Sequence, residues 1–124
     1  METLYISIDP IMRVWLTGAK TYLPALNNGD TIHAFALSRQ IGTNDIYFGS
    51  TGLQTHFTKT KDQIKVPRGV IANMIKNEVP IQYILPIILN GLPAYFGLID
   101  LCKIKKGSNI LISTAAGATG LFCL

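Results

Sequence analysis

Residues 109–120 carry the one pattern in this chain that few folds accommodate. A short apolar run, Asn109-Ile110-Leu111-Ile112-Ser113-Thr114, passes directly into Ala115-Ala116-Gly117-Ala118-Thr119-Gly120. Bounded on its other side by Lys106-Gly107-Ser108, the run reads as a buried parallel strand more readily than as a helix. Strand, glycine turn and helix start then follow in order. In the fingerprint of dinucleotide-binding sheets the first small residue makes the tight turn. The second lets backbone N–H groups approach a pyrophosphate, and the third packs helix against strand. Ala115, Gly117 and Gly120 occupy those places. A helix beginning near Gly117 would aim its unpaired N–H groups and positive dipole end at a phosphate. On this pattern alone, a glycine-rich turn after any strand accounts for the residues equally well.

The chain before it alternates turns with short β-like segments. Leu4, Ile6 and Ile8 alternate with Tyr5 and Ser7, the period of a strand with one buried face. Asp9-Pro10 ends that strand, and Ile11 to Leu16 make a helical turn before Gly18. Asn27-Asn28-Gly29-Asp30 and Gly42-Thr43-Asn44-Asp45 are turn signals on either side of a second strand, Thr31 to Arg39. Ile46-Tyr47-Phe48 follows, and then Leu53, Thr55 and Phe57 alternate with Gln54, His56 and Thr58. Short strands at this spacing predict a small barrel or sandwich. From Val70 to Ile88 the pattern is helical, but Pro80 and Pro86 predict short pieces rather than one long helix. A further helix is expected from Pro93, with Tyr95, Leu98, Ile99 and Cys102 on one face, ending at Lys105 to Gly107. Tyr95 and Phe96 are read as core packing.

At 124 residues the chain has room for one domain with a modest core. A hydrophobic share of 48% and a mean hydropathy of +0.32 are high for a soluble domain. The most apolar stretch, Ile81 to Leu101, is interrupted by Pro86, Asn90, Gly91 and Pro93, and reads as core rather than as a membrane span. The net charge of +4 is scattered, denser only at Lys59-Thr60-Lys61 and Lys103-Ile104-Lys105-Lys106. The first cluster suits a solvated loop, and the second suits a helix end, where cations complement the dipole. Neither forms a nucleic-acid stripe. Cys102 and Cys123, with no CxxC pair and no secretory signal, favour a reduced cytoplasmic setting. His33 and His56 lie far in sequence from both cysteines, so no metal site is expected.

Asn90-Gly91-Leu92-Pro93-Ala94-Tyr95-Phe96-Gly97-Leu98, continued by Ile99-Asp100-Leu101 and Lys106-Gly107, resembles the segment ahead of the nucleotide strand in zinc-independent medium-chain reductases. With Leu4 to Arg13, and with Gly52-Leu53-Gln54 similar to a Gly-Trp-Gln motif, the chain resembles the NADP-dependent alkenal/enone double-bond reductases, also called prostaglandin or leukotriene reductases. The resemblance implies an α/β fold: an incomplete GroES-like β-rich catalytic domain over residues 1–85, then the first strand and helix start of a Rossmann-type doubly wound sheet over 86–124. It also implies that the chain is a piece, with the opening strands of the first domain and most of the second lying outside it. The expected cofactor is NADP, with NAD left open because the selector some 20 residues past the glycines would lie beyond position 124. The expected partner is a small-molecule enal or enone, with no nucleic acid and no membrane; a homo-oligomer is compatible.

Residue by residue, the resemblance puts Pro10, Ile11, Ala115, Ala116, Gly117, Ala118, Thr119 and Gly120 at the cofactor, and Ile11, Arg13 and Tyr22 at the substrate; no catalytic side chain is identified. Tyr5 is a further pocket candidate. Two departures bear on the site. Ile11 stands where the family has tyrosine, and Pro93 where it has threonine, so two hydroxyls are missing. Arg13 has a structural alternative, a polar contact that fixes the turn after Pro10. The isolated chain is expected neither to bind NADPH measurably nor to reduce substrate, because one strand and a helix start do not build the crevice of a doubly wound sheet. Two other readings stay open: a non-catalytic GroES-like module that pairs with another polypeptide, and another medium-chain oxidoreductase such as a quinone reductase.

Overall fold

The computed structural model describes residues 1–43, 45–60, 71, 74–76 and 78–124. Parts of three sequence readings fall outside them: Asn44 in the second turn, Lys61 in the first basic cluster, and the start of the helical pattern at Val70. The chain divides into two compact units, Met1–Val79 and Pro80–Leu124.

In the first unit, β1 (Glu2–Ile6), β2 (Phe35–Arg39) and β3 (Ile46–Ser50) form an antiparallel sheet in the order β1-β2-β3. The turn between β2 and β3 needs Gly42, whose φ of 88° lies in the left-handed region that a Cβ disfavours. Register runs from Phe35 opposite Ser50 to Arg39 opposite Ile46, and Glu2 stands opposite Arg39. Between Thr3 and Tyr5 the β1 register slips by a residue, a bulge at Leu4. The slip disturbs the alternation expected there. The strand stops at Ile6, and Ile8 is 72% exposed.

Residues 53–57 were expected to form a strand of their own. They run instead along the far edge of β1, joined by the Glu2–His56 bridge and by Thr3 N–H donating to Thr55 C=O at 2.8 Å. Among the described residues the strands thus form one open sheet and not a closed barrel. The predicted strand from Thr31 is shorter than expected. Residues 31–34 leave the ladder, although Ile32 C=O and Ala34 C=O still accept from Leu53 and Thr51 N–H.

Helix α1 (Ile11–Leu16) forms where predicted. Proline needs no N–H at a helix start, so Pro10 is tolerated as its cap. Gly18 at φ 72° then turns the chain away. Met12 and Trp15 face inward and pack with Ala34, flanked by Ile6, Ile11, Leu23 and Leu26. Trp15, 2% exposed, meets Tyr22 and His33 edge-on at ring separations of 6.2 and 5.7 Å.

The second unit holds one long helix, α2 (Ile81–Leu101), and one short one, α3 (Ala118–Leu121). Pro80 interrupts the helical pattern as expected, because α2 begins directly after it, but Pro86 does not, and Pro93 lies inside α2 rather than at the start of a further helix. An interior proline removes an N–H and crowds the carbonyl four residues back. From Ile87 to Gly91 and from Phe96 to Leu101 the helix widens to π turns, with Leu92 N–H bonded to Ile87 C=O and Cys102 N–H to Gly97 C=O, each five residues back. A wide turn thus follows each proline, directly after Pro86 and three residues after Pro93. By length and composition alone α2 is long and apolar enough to cross a membrane. It ends at Leu101, ahead of the Lys105–Gly107 stop predicted for it, and the basic cluster follows its C-terminus.

The strand predicted at Asn109–Thr114 does not form. Residues 109–112 carry no regular structure, and Leu111 is 98% exposed. A strand is held by its neighbours' N–H and C=O groups, and no strand lies beside this segment among the described residues. Tyr95 and Phe96, read as core, are 56% and 51% exposed and stack edge-on with each other.

Candidate cofactor-binding site

The glycine loop is built from backbone outward. Thr114 C=O accepts from Gly117 N–H at 3.0 Å, closing a turn, and Leu121 N–H then makes the first helical bond to Gly117 C=O at 2.9 Å. Gly117 caps α3 in an extended conformation. The N–H groups of Ala118, Thr119 and Gly120 therefore precede Leu121 N–H, the first intrahelical donor.

Space is short at two glycines here, severely at one of them. A Cβ on Gly120 would sit 2.0 Å from Thr114 O and 2.7 Å from Ala115 O, both backbone atoms. A Cβ on Gly117 would meet Thr114 Cγ2 at 3.0 Å and Thr114 O at 3.2 Å. At Gly120, α3 therefore approaches the backbone of the preceding turn more closely than any side chain allows. Ala115 and Ala116 lie in the turn between Thr114 and Gly117.

Helix α2 supports this loop. Thr119 Oγ1 donates to Asn90 Oδ1 at 3.1 Å, and the Phe122 ring lies against Gly91, where a Cβ would come within 3.2 Å of it. Around Phe122 an apolar groove of about 490 Å³ opens between Ile87, Leu92, Tyr95 and Ile99. The sequence reading missed both Asn90 as a contact and Phe122. The available signal was a lone carboxamide inside an apolar helical run.

Pro10, Ile11, Arg13 and Tyr22 belong to the other unit, on and after α1. The turn that sets them is fixed by Ser7 Oγ donating to Asp9 Oδ2 at 2.6 Å, with Met12 N–H and Arg13 N–H bonded to Asp9 C=O and Pro10 C=O. Ile11 is half-buried against the Met12–Trp15 core, whereas Pro10 is exposed and Tyr22 is 74% exposed. The Arg13 side chain is exposed and makes no ion pair among the described residues, so the turn is held without it. Tyr5 is 39% exposed on β1.

Electrostatics in the first unit centre on β1 and β2. Arg39 Nη2 lies 2.6 Å from Glu2 Oε2, and that hydrogen bond, with the guanidinium charge, holds the Glu2 carboxyl below its ordinary range. Lys59, assigned to a solvated loop, donates to Ser50 C=O and sits 5.9 Å over the Phe57 ring. Cys102 and Cys123 are both free thiols.

No family profile matches the chain, and no solved structure does. Individual proteins do match. Prostaglandin reductase 1 of Bos taurus is 31% identical over 97% of this chain, and 2-alkenal reductase (NADP(+)-dependent) of Nicotiana tabacum 27% over 97%. NADPH-dependent curcumin reductase of Escherichia coli is 24% identical over the same share. The chain spans 36% of the bovine protein, about a third of the length of the curated relatives it matches. The separated motifs at Leu4–Arg13 and Asn90–Gly120 lie within one continuous similarity, and the chain belongs to the prostaglandin and alkenal reductase family of oxidoreductases.

Proposed function

We propose that this chain contributes the substrate-side turn and the phosphate loop of an NADP-dependent reductase acting on the C=C bond of α,β-unsaturated aldehydes or ketones. The observation that carries the reading is the backbone crowding at Gly120, the close helix approach that the third position of a dinucleotide loop requires. The reductase names of relatives aligned along 97% of the chain support it. Bound NADPH would supply a hydride to the substrate's β-carbon, the resulting enolate then taking a proton at its α-carbon.

The remaining chemistry falls to this chain's own groups. The amides of Ala118, Thr119 and Gly120 hold a phosphate, with Ala115, Ala116 and Gly117 shaping the turn beneath it. Pro10 and Ile11 wall the nicotinamide side. Ile11 brings no hydroxyl, so stabilising the enolate oxygen passes to another donor. Arg13 is the cationic candidate and Tyr22 the phenolic one. Residues 1–85 are taken as the catalytic portion and 86–124 as the opening of the nucleotide portion; the compact units themselves divide between Val79 and Pro80. On this reading α2 is an enzyme helix rather than a membrane span, and the setting is cytoplasmic.

The sequence alone implies no measurable NADPH binding by the 124 residues, since the crevice of a doubly wound sheet needs strands on both sides of the loop; with the loop amides already shaped, a weak, non-saturating contact is expected instead. Titrating isotope-labelled chain with millimolar NADPH tests the reading. Amide shifts confined to residues 115–120 and the Pro10–Arg13 turn are expected, without saturation in the micromolar range and without turnover of an alkenal. Shifts elsewhere, or none at all, refute the loop assignment.

A further inference from the structure

We propose that Asn90 is a positioning residue for the glycine loop: its carboxamide, one helix position before Gly91, seats the first turn of α3 by holding the Thr119 hydroxyl. This rests on the function proposed above only in what the loop is for.

Three observations converge on the Asn90-Gly91 step. Asn90 is the polar residue that ends the apolar run Ile84-Leu85-Pro86-Ile87-Ile88-Leu89, and it lies in the first π turn, where the helix is widened. Its Oδ1 accepts from Thr119 Oγ1 at 3.1 Å, 29 residues away in sequence. Immediately after it, Gly91 leaves the space that the Phe122 ring fills. The hydrogen bond and the ring contact grip α3 at its second residue and just past its end. A four-residue helix cannot hold itself in water, because nucleation costs more than so few bonds return. The orientation of the loop amides therefore comes from α2.

Amide hydrogen exchange on the 124-residue chain tests this. The reporters are the N–H groups of Gly117, Leu121, Phe122 and Cys123, each hydrogen-bonded within the loop or α3. Asn90→Ala and Thr119→Val should each speed their exchange about three-fold, the scale of one partly exposed hydrogen bond. The double substitution should add nothing further, and Thr119→Ser, which keeps the hydroxyl, should behave as the parent. Exchange along α2 before Gly91 should not change, which separates positioning from general loosening.

Unchanged exchange at the four reporters in Asn90→Ala, or additive effects in the double variant, overturns the proposal. If the parent chain shows no NADPH-dependent shift while Asn90→Ala still loosens the loop, the function proposed above fails and the positioning role stands. If the parent responds to NADPH and Asn90→Ala changes nothing, the reverse holds.

Discussion

Replacing Gly120 by alanine is the sharpest test of the loop, because the atoms that oppose it cannot step aside. The new Cβ would lie 2.0 Å from Thr114 O, about 1 Å inside the closest approach that real Cβ atoms show, and 2.7 Å from Ala115 O. Both are backbone atoms, so no side-chain rotation relieves the overlap. Either α3 moves off the 114–115 turn or the turn opens. Overpacking of this kind costs about 1–3 kcal/mol, and the upper end applies where backbone must move. Gly117→Ala meets chiefly the Thr114 methyl at 3.0 Å, which can rotate, and should cost under about 1 kcal/mol. Gly97→Ala, in the wide part of α2 with nothing within 4 Å, should instead stabilise by up to about 1 kcal/mol through helix propensity. Exchange of the Gly117, Leu121 and Cys123 amides reads all three on one scale. If Gly120→Ala protects those amides as well as the parent or Gly97→Ala does, the close-packing argument is wrong.

Other outcomes follow from the first unit. Ser38 is 1% exposed and its Oγ has no hydrogen-bond partner among the described residues, so Ser38→Ala should be neutral or stabilising by about 1 kcal/mol in urea unfolding; a clear loss would reveal a bond to that oxygen. Glu2 titrates below its ordinary range when folded, held there by the Arg39 hydrogen bond and charge. The stabilisation is therefore fully present above the ordinary glutamate pKa and is lost as pH falls through the lowered folded value. Being exposed and screened, it is small. Arg39→Gln should return the Glu2 titration, followed by carboxyl NMR, to the ordinary range, and an unmoved titration would refute the pairing.

Local signals were the legible ones. Gly18, Gly29, Gly42 and Gly107 were readable as turns, and each adopts positive φ. Asn27 and Asp30 close their turn as expected, with Asp30 N–H bonded to Asn27 C=O and Asp30 Oδ2 accepting from Asn27 N–H. The bounds of α1 were visible because Pro10 and Gly18 are both backbone constraints. What failed depended on partners beyond the local window. Residues 109–112 have the composition of a strand but nothing to pair with among the described residues. The prolines of α2 were read as breaks because the rule assumes four-residue rungs, and the sequence carries no mark of five-residue ones. Within the loop, the glycine spacing marked the close approach now seen at Gly120, but the contact from Asn90 needed coordinates, since 29 residues separate its two ends.

The wide turns of α2 also change what kind of surface it offers. On a regular α-helix, apolar positions seven apart share a heading and make a stripe that one flat neighbour can cover. Each five-residue rung shifts that heading, and Tyr83, Leu92, Phe96 and Leu101 are all more than 40% exposed, so α2 keeps apolar surface open to solvent from its first turn to its last.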